Sequence, residues 1–144
     1  MVCLGNICRS PLAEGILKHK TKNKKIFVDS AGTASYHVGN LPDSRSIEIA
    51  LKYGIDIRNQ RARQFSETDF DNFDKIYVMD THNYASILSN ARDQSDRNKV
   101  DLILNEINPK SFESVPDPYY GYGDGFQKVY DMLDKACDII VKKL

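Results

Sequence analysis

Apolar positions along this chain fall into short runs that alternate between two periods. Residues 26–30, 76–79 and 100–104 are brief β-rich stretches flanked by polar residues, and Met1 to Cys3 reads as the end of a first strand. Between them, Leu12, Ala13, Ile16 and Leu17 recur at helical spacing, as do Ile47, Ala50 and Leu51, then Tyr84, Ile87 and Leu88. Phe126, Val129, Tyr130, Leu133, Ala136, Cys137, Ile140 and Leu144 give a closing helix with an unbroken apolar stripe. Punctuation agrees with the periods. Ser10 followed by Pro11 predicts the N-cap and first position of a helix, Gly54 a left-handed cap, and Ser66-x-x-Asp69 a capping box. Strands alternating with helices predict an α/β fold in which helices cover both faces of a four-stranded parallel sheet. Residues 105–124 carry little regular pattern, and long irregular segments are often functional.

Composition sets bounds on this picture. At 144 residues, 41% hydrophobic and 28% charged, the chain predicts one domain, residues 1–144, with a substantial core. Twenty Lys and Arg balance twenty Asp and Glu, which argues against nucleic acid or a membrane surface as the main partner. The basic run from Lys18 to Lys25 reads as a solvated helix end and turn. Three cysteines, two of them in one short loop, do not make a disulfide framework and fit a reducing compartment. With no signal peptide and no apolar run of spanning length, the expectation is a soluble cytoplasmic protein.

The chemistry concentrates in Cys3-Leu4-Gly5-Asn6-Ile7-Cys8-Arg9-Ser10-Pro11. Cleaving a phosphate ester through a covalent intermediate requires a nucleophile, donors for three equatorial oxygens and an acid for the leaving group. Cys3 supplies the nucleophile. Gly5 permits close backbone approach to an anion, and successive N–H groups of such a turn form a concave nest of donors. A helix opening at Ser10 aims its positive end at the same point, favouring both a bound dianion and a thiolate at Cys3. Arg9 adds a planar fork that matches two phosphate oxygens. Ser10 has a second use, as a hydroxyl donor to the Cys3 sulfur, and Asn6 is among the few residue types that tolerate positive φ. Leu4 and Ile7, whose backbones face phosphate, are placed to touch the substrate's ring. The pattern asks for no metal and no cofactor.

CLGNICRSP resembles the signature of the low-molecular-weight protein tyrosine phosphatases, and Asp117-Pro118-Tyr119-Tyr120-Gly121 resembles their second signature. Asp29-Ser30-Ala31-Gly32 and Val78-Met79-Asp80 also sit where that family places them, so the resemblance spans nearly the whole chain. It implies a phosphotyrosine phosphatase I-like, Rossmann-like fold and hydrolysis of protein phosphotyrosine through a phosphocysteine on Cys3. Asp117 is implied as general acid and later base, although local sequence alone also suits a solvated turn aspartate. Tyr119 and Tyr120 are implied as one wall of the substrate pocket. Tyr36 looks like the opposite wall, or else a partly buried loop aromatic. The resemblance makes Asn6 and Ser30 a supporting pair, with Gln60 where many relatives carry a histidine of the same network. Relatives resembling phosphoarginine phosphatases carry threonine at the point of Ile7, so the branched alkyl group here favours phosphotyrosine. Implied partners are phosphotyrosine proteins, among them an autophosphorylating tyrosine kinase, with phosphate or another oxyanion in the site and a monomeric or weakly dimeric protein.

Cys8 has two readings, a thiol that captures oxidised Cys3 as a disulfide and a small packed residue under the loop. Cys137 falls on the apolar face of the last helix and reads as packing. Two other functions fit the loop: a thioredoxin-coupled arsenate reductase, which needs further mobile redox cysteines, and a non-catalytic phosphate-binding module, which needs no acid. Only Met1 and Val2 precede Cys3, short of the about 5–6 residues of a typical strand, so the native N-terminus is expected to extend upstream of Met1.

Overall fold

The computed structural model describes residues 1–121 and 123–144; Tyr122, within the irregular segment expected at 105–124, lies outside the described residues. Four parallel strands, β1 (Val2–Cys3), β2 (Ala31–Gly32), β3 (Ile76–Val78) and β4 (Val100–Leu102), form one sheet in the order β2-β1-β3-β4. Helices α1 (Arg9–Lys20), α2 (Ser44–Lys52), α3 (Thr68–Asn72), α4 (Thr81–Ser89), α5 (Gln94–Asn98) and α6 (Gly125–Lys142) connect and cover it. Single 3₁₀ turns lie at Ile103–Glu106 and Pro118–Tyr120.

Alternation along the strands sorts side chains into two cores, because successive residues of a strand face opposite sides of a sheet. Cys3 and Met79 join Leu12, Ile16, Leu133 and Cys137 of α1 and α6 on one face, with Met1 and Tyr77 packed against them. Val2, Ile76, Val78, Val100 and Leu102 join Phe70 and Ile87 on the other. Both faces are therefore covered, as a parallel sheet requires. Since β1 lies between β2 and β3, the chain reverses direction across the sheet there, and the crevice at the carboxyl ends of β1 and β3 is the natural ligand site of such a topology.

The expected second strand is displaced. Residues 26–30 are extended without ladder pairing, and the strand forms at Ala31–Gly32. Pairing follows β1: Ala31 N–H donates to Met1 O at 3.0 Å, and the Met1 ammonium donates to Asp29 O at 3.1 Å. Phe27, 76% exposed, stacks on Phe73 with centroids 5.6 Å apart. Helix α1 starts two residues earlier than the Ser10-Pro11 pair predicts, with Cys8 at its N-cap and Ser10 inside the first turn. Pro11 is accommodated there because first-turn N–H groups have no intrahelical acceptor to lose. The predicted strand 100–104 turns into 3₁₀ at Ile103, and α5 carries no apolar stripe by which its sequence would announce it. Gly54, at φ +76°, closes α2 as expected. Asp69 completes half of the anticipated capping box, accepting from Ser66 N–H at 3.0 Å.

Candidate active site

Directly after β1 the chain turns through Leu4 to Cys8 into α1, and the carbonyls of this loop are held from outside. Thr33 N–H donates to Cys3 O (2.9 Å), Ala34 N–H to Leu4 O (2.9 Å) and Asp43 N–H to Ile7 O (2.8 Å). Ser46 Oγ–H donates to Cys8 O at 3.1 Å. A trans peptide points its N–H opposite to its carbonyl, so anchoring the carbonyls outward turns the following N–H groups inward. Among the described residues, none of the N–H groups of Leu4, Gly5, Ile7 and Cys8 donates within the protein. They form a nest of free donors at the mouth of α1, the arrangement that binds a tetrahedral oxyanion.

Asn6 holds the turn. Its φ of +57° is left-handed, and its side chain fixes that conformation. Nδ2 donates to Ser10 Oγ (2.8 Å) and Ser30 Oγ (2.9 Å), and Oδ1 accepts from Arg63 N–H (3.0 Å). Ser30 Oγ–H in turn donates to Glu14 Oε1 at 2.6 Å. Gln60 does not join this network: it donates to Pro11 O at 3.0 Å, and its buried Oε1 has no partner among the described residues. Glu14, buried on α1, takes the place expected for Gln60, because one helical turn beyond Ser10 brings it up to Ser30 from below the loop. Gly32 presses on the loop from β2; a Cβ there would lie 2.8 Å from Leu4 O. Only glycine fits so close an approach.

Cys3 Sγ lies 3.0 Å from Ser10 Oγ and accepts Asn6 N–H at 3.3 Å. Ser10 thus serves the sulfur and Asn6 rather than capping the helix. Arg9 is 3% exposed, and its two terminal nitrogens have separate tasks. Nη1 donates to Asp80 Oδ2 at 2.7 Å and to Val115 O at 2.9 Å, while Nη2 lies 3.6 Å from Asp117 Oδ2 at the cleft. Asp80 also caps α4, accepting Asn83 N–H on Oδ1 at 2.7 Å. Asp117 opens the 3₁₀ turn Pro118–Tyr120 and accepts Tyr119 N–H on Oδ1 at 3.0 Å.

Cys3, Arg9 and Asp117 line one cleft of about 80 Å³, together with Leu4, Gly5, Ile7, Cys8, Tyr36, His37, Tyr119 and Tyr120. The volume suits a small anion at the base rather than a drug-sized ligand of roughly 300 Å³ or more. Tyr36 is 75% exposed, a free-standing wall instead of a packed loop residue, and Tyr119 and Tyr120 meet edge to face at 5.0 Å on the other side. Cys8 is buried beneath the loop, and burial, followed by the charges of Asp43, Cys3 and Asp117, pushes its thiol up to about 12. A thiol so reluctant to ionise fits the packing reading. Cys137 is fully buried in the core, as its place on the helix face implied.

The structure brings Cys3, Arg9 and Asp117 into one cleft, and gives supporting contacts to residues for which the sequence suggested no role: Asp80, Glu14, Arg63, Asp43 and Ser46, with His37 on the wall. Beside its place in Val78-Met79-Asp80, which the resemblance already picks out, Asp80 had a second legible signal. It stands at the carboxyl end of a strand and the start of a helix, where an N-cap is expected.

The family model described as low molecular weight phosphotyrosine protein phosphatase matches residues 1–144. A protein of that name from Schizosaccharomyces pombe is 42% identical over 137 residues, covering 92% of this chain and 86% of its own. The fold superposes on a protein tyrosine phosphatase from Entamoeba histolytica, solved with Hepes in its active site, with a TM-score of 0.91 and 39% identity over 99% of this chain and 92% of that one. It also superposes on a Drosophila arginine phosphatase, with a TM-score of 0.90 and 34% identity over 99% and 94% of the two chains. With the whole length matched and the cleft built on the signature loop, the chain belongs to the low molecular weight phosphotyrosine protein phosphatase family.

Proposed function

We propose that this protein hydrolyses phosphotyrosine in proteins through a phosphocysteine intermediate. The observation that carries the reading is the convergence of Cys3 Sγ, the free side of the Arg9 fork and the Asp117 carboxyl on one small cleft floored by unspent N–H groups. Phosphate oxygens take the loop N–H groups and Arg9 Nη2, which leaves Cys3 Sγ in line with the ester bond. The sulfur's electron pair forms the S–P bond as the P–O bond breaks, and the departing phenolate takes the proton of Asp117. Asp117, now a carboxylate, accepts a proton from water as that water attacks phosphorus. The S–P bond breaks, and inorganic phosphate and the Cys3 thiolate are released. Ser10 Oγ, 3.0 Å from the sulfur, stabilises the leaving thiolate.

Substrate class follows from the walls. Tyr36 and Tyr119 offer flat faces to a phenyl ring, and Ile7 places an alkyl group in the cleft where a guanidinium would need a polar partner. The arginine phosphatase among the structural relatives makes phosphoarginine the comparison to run. The arsenate-reductase reading is disfavoured because Cys137 is sealed in the core and Cys8 lies buried under the loop.

The test is vanadate-sensitive hydrolysis of p-nitrophenyl phosphate by wild type, Cys3→Ser and Asp117→Ala, with phosphotyrosine and phosphoarginine peptides compared. Turnover abolished in Cys3→Ser is expected, and on the phosphotyrosine peptide, whose phenolate leaves poorly without a proton, Asp117→Ala is reduced about 10²–10⁴-fold, a positioned acid being worth that much. Folded, reduced wild type without turnover refutes the reading. Faster release of phosphate from phosphoarginine than from phosphotyrosine refutes the substrate assignment.

A further inference from the structure

We propose that Arg45 is a positioning residue that ties the acid-bearing loop to the phosphate loop and so sets the place of Asp117. The proposal rests on the reading of Asp117 as the acid given above.

The start of α2 is fixed to the phosphate loop, since Asp43 N–H donates to Ile7 O at 2.8 Å and Ser46 Oγ–H to Cys8 O at 3.1 Å. Asp43, the N-cap of α2, holds Arg45 in a fork: Oδ1 accepts Arg45 N–H (2.9 Å) and Nε–H (3.0 Å), and Oδ2 accepts Nη2–H (3.0 Å). These side-chain bonds, foremost among the causes, hold the Asp43 carboxyl below the usual carboxylate range. A bidentate pair fixes the guanidinium plane as well as its position. From that plane Nη2 donates to Tyr119 O at 3.3 Å, and the group lies over the rings of Tyr119 (5.5 Å) and Phe126 (4.7 Å).

Tyr119 is thereby gripped at its ring and carbonyl by Arg45 and at its N–H by Asp117 Oδ1. Across residues 116–121, the bond from Arg45 to Tyr119 O is the single hydrogen bond to a residue outside the segment among the described residues. The remaining polar tie is the 3.6 Å approach of Asp117 to Arg9, and phosphate competes for that guanidinium. With substrate bound, Arg45 is what keeps the acid loop in register with the phosphate loop. Side-chain exposure of 42% places Arg45 outside the core, so its removal leaves the fold in place.

Leaving-group dependence isolates this role. Nitrophenolate departs readily without a proton and phenolate does not, whereas both esters share the same phosphate contacts. The kcat/KM values of wild type, Arg45→Met and Arg45→Lys are measured for p-nitrophenyl phosphate and phenyl phosphate, with the inhibition constant of inorganic phosphate. Arg45→Met is expected to lose about tenfold on phenyl phosphate and under about threefold on p-nitrophenyl phosphate, a fraction of the full worth of a positioned acid. Phosphate inhibition stays within about twofold of wild type. Arg45→Lys falls with Arg45→Met because an ammonium lacks the fork. Asp43→Asn, which keeps the cap and loosens the fork, reproduces the same ester ratio and serves as the reading if an Arg45 variant does not fold. Equal losses on the two esters, weakened phosphate inhibition, or wild-type values for both variants overturn the proposal. Wild type inactive on both esters sinks the phosphatase reading itself, a result distinct from an unchanged ratio in an active enzyme.

Discussion

Replacing Asp80 by asparagine removes one charge and almost no volume, which makes it a clean probe of how the phosphate-binding arginine is held. Asparagine is as good an N-cap as aspartate, so the bond from Asn83 N–H that opens α4 is retained. What is lost is the charge on the partner of Arg9 Nη1, 2.7 Å away, beside a guanidinium that is 3% exposed. Outright loss of a partner to a buried charge costs about 3–5 kcal/mol. The single asparagine oxygen stays on the Asn83 cap and its NH2 cannot accept from Nη1, so the charge-assisted hydrogen bond is lost. Val115 O still accepts from Nη1 and Asp80's 17% side-chain exposure admits water, so the penalty falls near the worth of that bond, about 2 kcal/mol.

Urea unfolding reads this directly. With a slope of roughly 1–3 kcal/mol per molar, a loss of about 2 kcal/mol lowers the midpoint by about 1 M. Asp80→Ala loses the cap as well and falls about a further 1 kcal/mol. In the folded variant the nearest remaining carboxylate to Arg9 is Asp117, at 3.6 Å, so the fork is drawn toward the acid and away from phosphate. Weaker inhibition by phosphate and at least about tenfold lower kcat/KM accompany the stability loss, given the cost of misplacing a binding group. An unchanged midpoint and unchanged phosphate inhibition in Asp80→Asn would show that Asp80 neither stabilises nor orients Arg9, and the reasoning fails.

Two further outcomes follow from the same geometry. Asn6→Ala removes three side-chain hydrogen bonds and leaves a β-carbon at φ +57°, so it loses more than about 2 kcal/mol by urea unfolding, with Asn6→Gly the milder because glycine adopts this φ without strain. Equal stability of the two variants would refute the backbone part of that account. Burial raises the thiols of Cys8 and Cys137 to about 12 from an ordinary 9.0, so each contributes stability that is complete below pH 9 and lost as pH rises toward 12. The thermal midpoint should decline through that window, and less steeply in Cys137→Val; an identical decline in the variant removes Cys137 from the explanation.

The parts of this site legible in the sequence are those written in consecutive residues. Cys3 to Pro11 carries the nucleophile, the nest and the fork in one stretch, and alternation of periods is enough to place that stretch at the end of the first strand; that this strand is central is seen only in the sheet order. The supports were illegible for a physical reason. Arg9 meets Asp80 across 71 positions and Val115 across 106, and an aspartate or a backbone carbonyl is too common to be singled out before the fold brings it near. Of the two uses read for Ser10, the cap misled because serine before proline is a good N-cap, while the hydroxyl lies against the Cys3 sulfur, as its second reading has it, and accepts from Asn6.

The accounting of Arg9 donors leads to a last prediction. A guanidinium has five N–H groups, and Nη1 spends both of its own on Asp80 Oδ2 and Val115 O. Those bonds tie α1 to the end of β3 and to the segment leading into Asp117, so the same side chain that faces phosphate also spaces nucleophile from acid. Nε and the two hydrogens of Nη2 remain for phosphate, a planar pair matched to two oxygens. Lysine has three donors on a single nitrogen; meeting both structural partners leaves one, and no plane. Arg9→Lys therefore folds, since Asp80 keeps a cation, but no longer couples phosphate to stability. Ligand that binds only the folded state raises stability by RT ln(1 + [L]/Kd), about 2.7 kcal/mol at a concentration one hundred times Kd. Wild type should gain urea resistance with added phosphate along that curve, while Arg9→Lys shows little gain at the same concentrations and at least about 10²-fold lower kcat/KM. A lysine variant with the wild-type response to phosphate would mean that charge alone binds the anion. The division of Arg9 into a structural half and a phosphate half would then be wrong.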